Sequence, residues 1–211
     1  MFSGANPKSS IAGGFTLIEL MVSIAIGLIV LASVATTFTS QTRAYSAQEQ
    51  VNQMEQNLRG ALDIMSREIK MAGYKPNGGT VTGVVSFSST ALTIQADIDG
   101  NGAVLSSGTG SDTAYEQIAY VYDSTNKKIT RQVGSGTAEM LAENITAFSF
   151  LYYQAQSGPS APAVASTASA IRQIQISMTG KTAKPDPSFP SNGGYRTVDV
   201  SATITPINLG L

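Results

Sequence analysis

Two groups of oxygen-bearing side chains in this 211-residue chain have the types and spacing to do chemistry. Asp97-Ile98-Asp99-Gly100-Asn101-Gly102 sets oxygen donors two residues apart and ends in glycine, the spacing of the first half of a calcium loop. Donors so placed converge on one hard cation, and Gly102 permits the sharp turn. A full twelve-residue loop needs glutamate at position 108, where the chain has Gly108, and helices on both sides, where a strand-like segment precedes. Asp112 or Glu116 supplies the missing carboxylate if the loop folds back. The same six residues also suit an Asx turn between strands. Two readings therefore fit: a structural calcium ion on Asp97, Asp99 and Asn101, or an ion-free turn with no cofactor required. The second group is a single carboxylate, Glu19, at the head of a long apolar run. A charge in hydrocarbon is costly and is kept where it finds a specific partner.

Much other chemistry is excluded by composition. The chain has no cysteine and no histidine, so disulfides, thiolate zinc sites, haem ligation and imidazole bases are absent. No nucleophile elbow, phosphate loop or Ser-x-x-Lys motif occurs, and no catalytic residue is assigned; the chain reads as a non-enzyme. With net charge −1 and no large basic run, no nucleic-acid partner is expected. Charged residues are 13%, about half the usual share, which fits surface spent on membrane or neighbouring subunits. Tyr115, Tyr120, Tyr122, Tyr152 and Tyr153 lie on strand-like segments, where cross-strand packing is the expectation ahead of a ligand platform.

The element that must carry Glu19 begins at Phe15. A short polar stretch with one charge, Lys8, ends in Gly13-Gly14, and no charge then occurs from Leu20 through Thr42. As a helix that stretch spans a bilayer core, which takes about 20 residues. An ordinary secretory signal has a run of 7–15 apolar residues, so even with Ser33-Val34-Ala35 as a cleavage site the run is too long. A plain transmembrane anchor explains the length but neither Gly14-Phe15 nor Glu19.

Gly14-Phe15-Thr16-Leu17-Ile18-Glu19-Leu20 resembles the cleavage and assembly motif of type IV prepilins and of the pseudopilins of type II secretion. The resemblance implies cleavage between Gly14 and Phe15 by a membrane prepilin peptidase and N-methylation of Phe15. It also implies that Glu19 pairs with the terminal amine of a neighbouring subunit, setting the register of a helical filament of pilins. One departure stands out: many major pilins carry a proline in the apolar half, and none lies between Phe15 and Lys75. Gly27 and Thr36-Thr37-Phe38-Thr39 are the candidate soft points.

Beyond Arg43 the helical period continues. Ala47, Val51, Met54, Leu58, Ala61, Leu62, Met65 and Ile69 recur at three- and four-residue steps, an amphipathic stripe suited to packing under a sheet. Gly73 is the expected stop and Pro76 lies past the end. A helix from Phe15 to Ala72 is roughly 87 Å long at 1.5 Å per residue. From Val81 the period is two, predicting strands at Val81–Phe87, Ala91–Ala96, Glu116–Tyr122, Lys128–Val133, Ile145–Tyr153, Ile174–Met178 and Val198–Ile204. Asp123–Lys127 reads as a hairpin turn, and Asn144-Ile145-Thr146, formally a glycosylation sequon, as a strand start. Gly100–Asp112, Ser157–Ser169 and Gly180–Gly194 read as solvated loops. The expected fold is α+β, a long N-terminal helix packed on an antiparallel sheet. Its segments are a leader (1–14), an apolar membrane or filament-core helix (15–42), the amphipathic half of that helix (43–75) and a β-rich head (76–211).

The segments Glu116–Tyr120, Leu141–Phe150 and Ile171–Ile174 are similar to W-type minor pilins and the related J-type pseudopilins. That resemblance, with a mature chain of 197 residues, implies a minor subunit that primes or caps a pilus. Its partners would be other pilins, the prepilin peptidase, the inner-membrane assembly machinery and, before assembly, the lipid bilayer. The precursor would sit in a bacterial inner membrane with its head in the periplasm, and later in a surface pilus. The alternatives are a J-like pseudopilin, a tip adhesin or a DNA-uptake pilin.

Overall fold

The computed structural model describes residues 14–102, 104, 116–156 and 161–209. Of the expected leader only Gly14 falls within these; Gly108, Asp112 and Tyr115 lie outside them. Helix α1 runs Leu17–Met71, without proline and with β-branched residues interrupted often enough by alanine and leucine to keep the helix favourable. The chain divides into two compact units, Met1–Ser46 and Ala47–Leu211.

In the first unit α1 is long and apolar enough to cross a membrane, and its most apolar stretch buries nothing. Leu17, Ile18, Leu20, Leu28, Ile29 and Leu31 are all exposed. The hydroxyls on this stretch are satisfied within the helix. Ser23 donates to the Glu19 carbonyl, Ser33 to Ile29, Thr36 and Thr37 to Ser33, Thr39 to Thr36 and Thr42 to Phe38, at 2.7–2.9 Å. Such back-bonding removes the desolvation cost that free hydroxyls carry in hydrocarbon.

In the second unit the amphipathic stripe is the core-facing side of α1. Ala47, Met54, Leu58, Ala61, Met65 and Ile69 are buried, with Val51 and Leu62 packed against them. The helix stops where expected: Gly73 takes φ +80, and its amide donates to Gln95 O at 2.8 Å. Strands β1 (Val84–Phe87), β2 (Ala91–Gln95), β3 (Gln117–Asp123), β4 (Lys128–Val133) and β5 (Glu139–Glu143) form one antiparallel sheet in sequence order. Strands β6 (Ile145–Tyr153), β7 (Gln173–Lys181) and β8 (Thr197–Ile204) form a second.

The α+β class holds, with the expected single sheet replaced by two antiparallel ones. The break falls at Asn144, whose φ of +59 cannot continue a ladder, so the strand begins one residue after the sequon's asparagine. β1 starts at Val84, three residues later than its sequence pattern suggests. Strand β5 is the element that alternation did not announce: only Ala142 in it is buried. The hairpin turn is an Asx turn, Asp123 Oδ1 accepting the amides of Thr125 and Asn126 at 2.9 Å. Along β7, Ile174, Ile176, Met178 and Gly180 point inward.

The strand tyrosines pack as expected. Tyr120 is fully buried; Tyr122 OH donates to Ile145 O at 3.0 Å and Tyr152 OH to Ser88 O at 2.8 Å. Tyr152 also meets Phe87 edge-on at 4.9 Å between ring centres, and Tyr153 OH donates to Gln175 Oε1.

Candidate functional site

At the head of α1 the structure explains two of the motif's residues in local terms. Thr16 Oγ1 accepts the Glu19 amide at 3.3 Å, and Thr16 O accepts the first helical bond, from Leu20 N at 3.1 Å. Thr16 is thus the N-cap and Glu19 the third helical residue, the Thr-x-x-Glu spacing of a capping box. Glu19 also sits in the first turn of α1, at the positive end of the helix dipole. This cap went unread in the sequence, although the two residue types and their spacing carry it. Phe15 is 78% exposed and Glu19 is exposed, so the first turn presents a ring and a carboxylate outward together.

In the second unit the residues that follow β2, Asp97–Gly102, turn tightly on themselves beside Glu116. Asp97 is fully buried, and its Oδ1 and Oδ2 accept the amides of Gly100 at 2.7 Å and Gly102 at 2.9 Å. Asp97 N donates in turn to Tyr74 O at 2.8 Å, and Asn77 Nδ2 donates to Gly100 O, so the segment after α1 holds the loop. Asp99 accepts the amide of Asn101 at 2.9 Å and its Nδ2 at 2.8 Å. Across from them Glu116 is 2% exposed. Its Oε1 accepts the amides of Ile98 at 3.2 Å and Asp99 at 3.5 Å, whereas Oε2 is buried with no partner among the described residues. One carboxylate oxygen from each of Asp97, Asp99 and Glu116 lies within 4.8 Å of the other two. Burial first, then the charges of Asp99 and Asp97, pushes the Glu116 carboxyl above its usual range, against the pull of the two amides. Asn101 is exposed and turned onto Asp99.

A second polar cluster escaped the sequence reading. Glu68, in the last turn of α1, accepts from Arg131 Nη2 at 2.6 Å and from Arg131 Nε at 3.0 Å, and also from the Tyr120 hydroxyl. Burial, then Glu68, drives the Tyr120 hydroxyl far above its ordinary value, and Glu68 raises Arg131. Between this cluster and Glu116 lies a cavity of about 230 Å³ with apolar walls that include Met71, Ile94 and Ile118. Three groups meeting over 52 and 63 residues of separation leave no local pattern to read.

Residues 10–35 match the family model of the prokaryotic N-terminal methylation motif. No curated protein matches the sequence at a significant level. Among solved structures, the chain is similar to a type IV-like pilin from Thermus thermophilus, with 13% identity and a TM-score of 0.45 over 74% of this chain and 97% of that one. The N-terminus of the chain therefore carries a methylation motif, and the match runs into an apolar helix that its own unit does not cover.

Proposed function

We propose that this chain is a type IV pilin-like subunit, made as a membrane-anchored precursor and assembled through α1 into a helical filament with other pilins. The observation that carries the reading is the pairing of the methylation motif over residues 10–35 with a helix whose apolar side chains are exposed all round. Such a surface is tolerable only in lipid or against other helices. A prepilin peptidase cuts between Gly14 and Phe15 and Phe15 is N-methylated. The new α-amino group then stands one helical turn from Glu19, in the exposed first turn. A carboxylate at the helix terminus is well placed to receive the amine of a neighbouring subunit, neutralising both charges in the filament core. The β-rich second unit, with no catalytic residue assigned, serves as the subunit's head. Its role is that of a minor pilin in priming assembly at the inner membrane, from which the head passes with the filament to the surface.

Mass spectrometry of purified filaments tests this. The expected result is a peptide that begins at N-methylated Phe15, present at low stoichiometry, and lost from filaments but not from membranes in Glu19→Ala. A chain that retains Met1, or that starts at Thr36, overturns the reading.

A further inference from the structure

We propose that Asp97, Asp99 and Glu116 form a calcium site that clamps the end of β2 to the start of β3. Two independent observations meet there. Three carboxylates bring one oxygen each within 4.8 Å of the others, no farther than two ligands on opposite sides of one calcium ion at about 2.3–2.6 Å each. The second is the state of Glu116: 98% removed from solvent, with Oε1 held by the Ile98 and Asp99 amides and Oε2 without a partner among the described residues. A buried carboxylate oxygen with no donor loses its hydration and gains nothing in return. A cation between the three groups supplies that missing partner and converts the mutual repulsion of three carboxylates into attraction.

The donor set selects the ion. All three ligands are carboxylates, and a chain without histidine or cysteine offers no nitrogen or thiolate to a transition metal. Magnesium keeps several waters and demands a tight octahedron, whereas calcium accepts six to eight oxygens at loose angles. A site assembled from a glycine-containing loop and a residue at a strand edge suits the second habit. The loop backbone is already arranged for it, since Asp97 takes the amides of Gly100 and Gly102 and keeps its carboxylate in place without the ion. Glu116, nineteen positions beyond Asp97, takes the part that Gly108 cannot. Asp97 follows β2 and Glu116 precedes β3, so the ion ties the end of one strand to the start of the next. Ion binding here does not depend on filament assembly.

The test uses the full-length protein in detergent, stripped with chelator and then titrated with calcium chloride alone. Its Tm is expected to rise by roughly 2–9 °C between zero and about 5 mM calcium, for affinities of about 0.1–1 mM. Isothermal titration should show one ion per chain, and equal magnesium should give a clearly smaller shift. Glu116→Gln keeps the acceptor for Ile98 but removes the charge, and should abolish the calcium shift while leaving the ion-free protein folded. Asp99→Asn, at an exposed position, gives the same readout should Glu116→Gln fail to fold. A wild-type Tm that ignores millimolar calcium overturns the proposal. So does a shift that survives in both variants, or one that magnesium reproduces in full.

Discussion

Glu68 accepts from a guanidinium and a phenol at once, and only about one fifth of its side chain and of Arg131's remains in contact with water. Arg131→Ala would leave a half-buried carboxylate with the Tyr120 hydroxyl alone. We expect a loss of about 1–3 kcal/mol in denaturant unfolding, below the roughly 3–5 kcal/mol of a fully buried pair because water still reaches the site. Glu68→Ala in the same background should cost much less than it does alone, and additive losses would show the pair to be uncoupled. Asp186 makes a different prediction, one about pH. The Ser188 hydroxyl, then Arg196 at 2.9 Å, hold its carboxyl down to about 2, below the ordinary 3.8. A group whose pKa is lower in the folded state stabilises the protein at pH values above its unfolded pKa. The contribution of Asp186 is therefore complete above about pH 5 and disappears as pH falls from about 4 through 2. Asp186→Asn should be less stable than wild type at pH 7, with the gap closing on acidification; acid unfolding curves monitored by circular dichroism would show it. A constant gap down to pH 2 would mean that the side chain matters for shape and not for charge.

At the scale of elements, packing of α1 on the second sheet turns on Gly180. A Cβ built there would lie 2.8 Å from Leu58 Cδ1, with two more Leu58 carbons at 3.1 and 3.2 Å. Leu58 is itself buried, so it cannot simply swing away. Gly180→Ala should cost about 1–3 kcal/mol through overpacking, and Leu58→Val should recover part of that loss in the double variant. If the double variant is worse than the sum of the singles, the contact is not what limits the site. The stripe containing Leu58 was legible beforehand because one buried face repeats every three or four residues, from Ala47 to Ile69. β7 was legible for the same reason at period two, with Ile174, Ile176 and Met178 all facing in. β5 was not, because an edge strand whose one buried residue is Ala142 carries no alternation. The division into two sheets hangs on the backbone of Asn144, and a single left-handed residue leaves no mark in hydropathy. The loop at Asp97 shows both limits. Its two-residue spacing was plain in the sequence. The spacing alone does not choose between Asp112 and Glu116 as the completing carboxylate, and only the register of β2 against β3 brings Glu116 alongside.

For the whole molecule, the two units place opposite demands on solvent. Residues 14–46 contribute none of the buried core, while the side chains that close the core begin at Ala47 and continue through Met54 and Leu58 into both sheets. An isolated helix is marginal in water unless an apolar face is covered, and from Ala47 onward this one is covered by its own sheets. A chain starting at Ala47 therefore keeps every core side chain and loses the exposed apolar surface that drives aggregation. It should be monomeric and soluble without detergent, with mixed helix and strand circular dichroism and a single cooperative unfolding transition. The full-length chain should need detergent or lipid under the same conditions. Starting instead at Leu62 would remove Met54, Leu58 and Ala61 from the core and expose the sheet faces they cover, so that version should aggregate or melt without cooperativity. If the Ala47 version unfolds non-cooperatively while full-length protein in detergent unfolds sharply, the apolar half of α1 contributes to the head's stability, and Ser46 is not where independent folding begins.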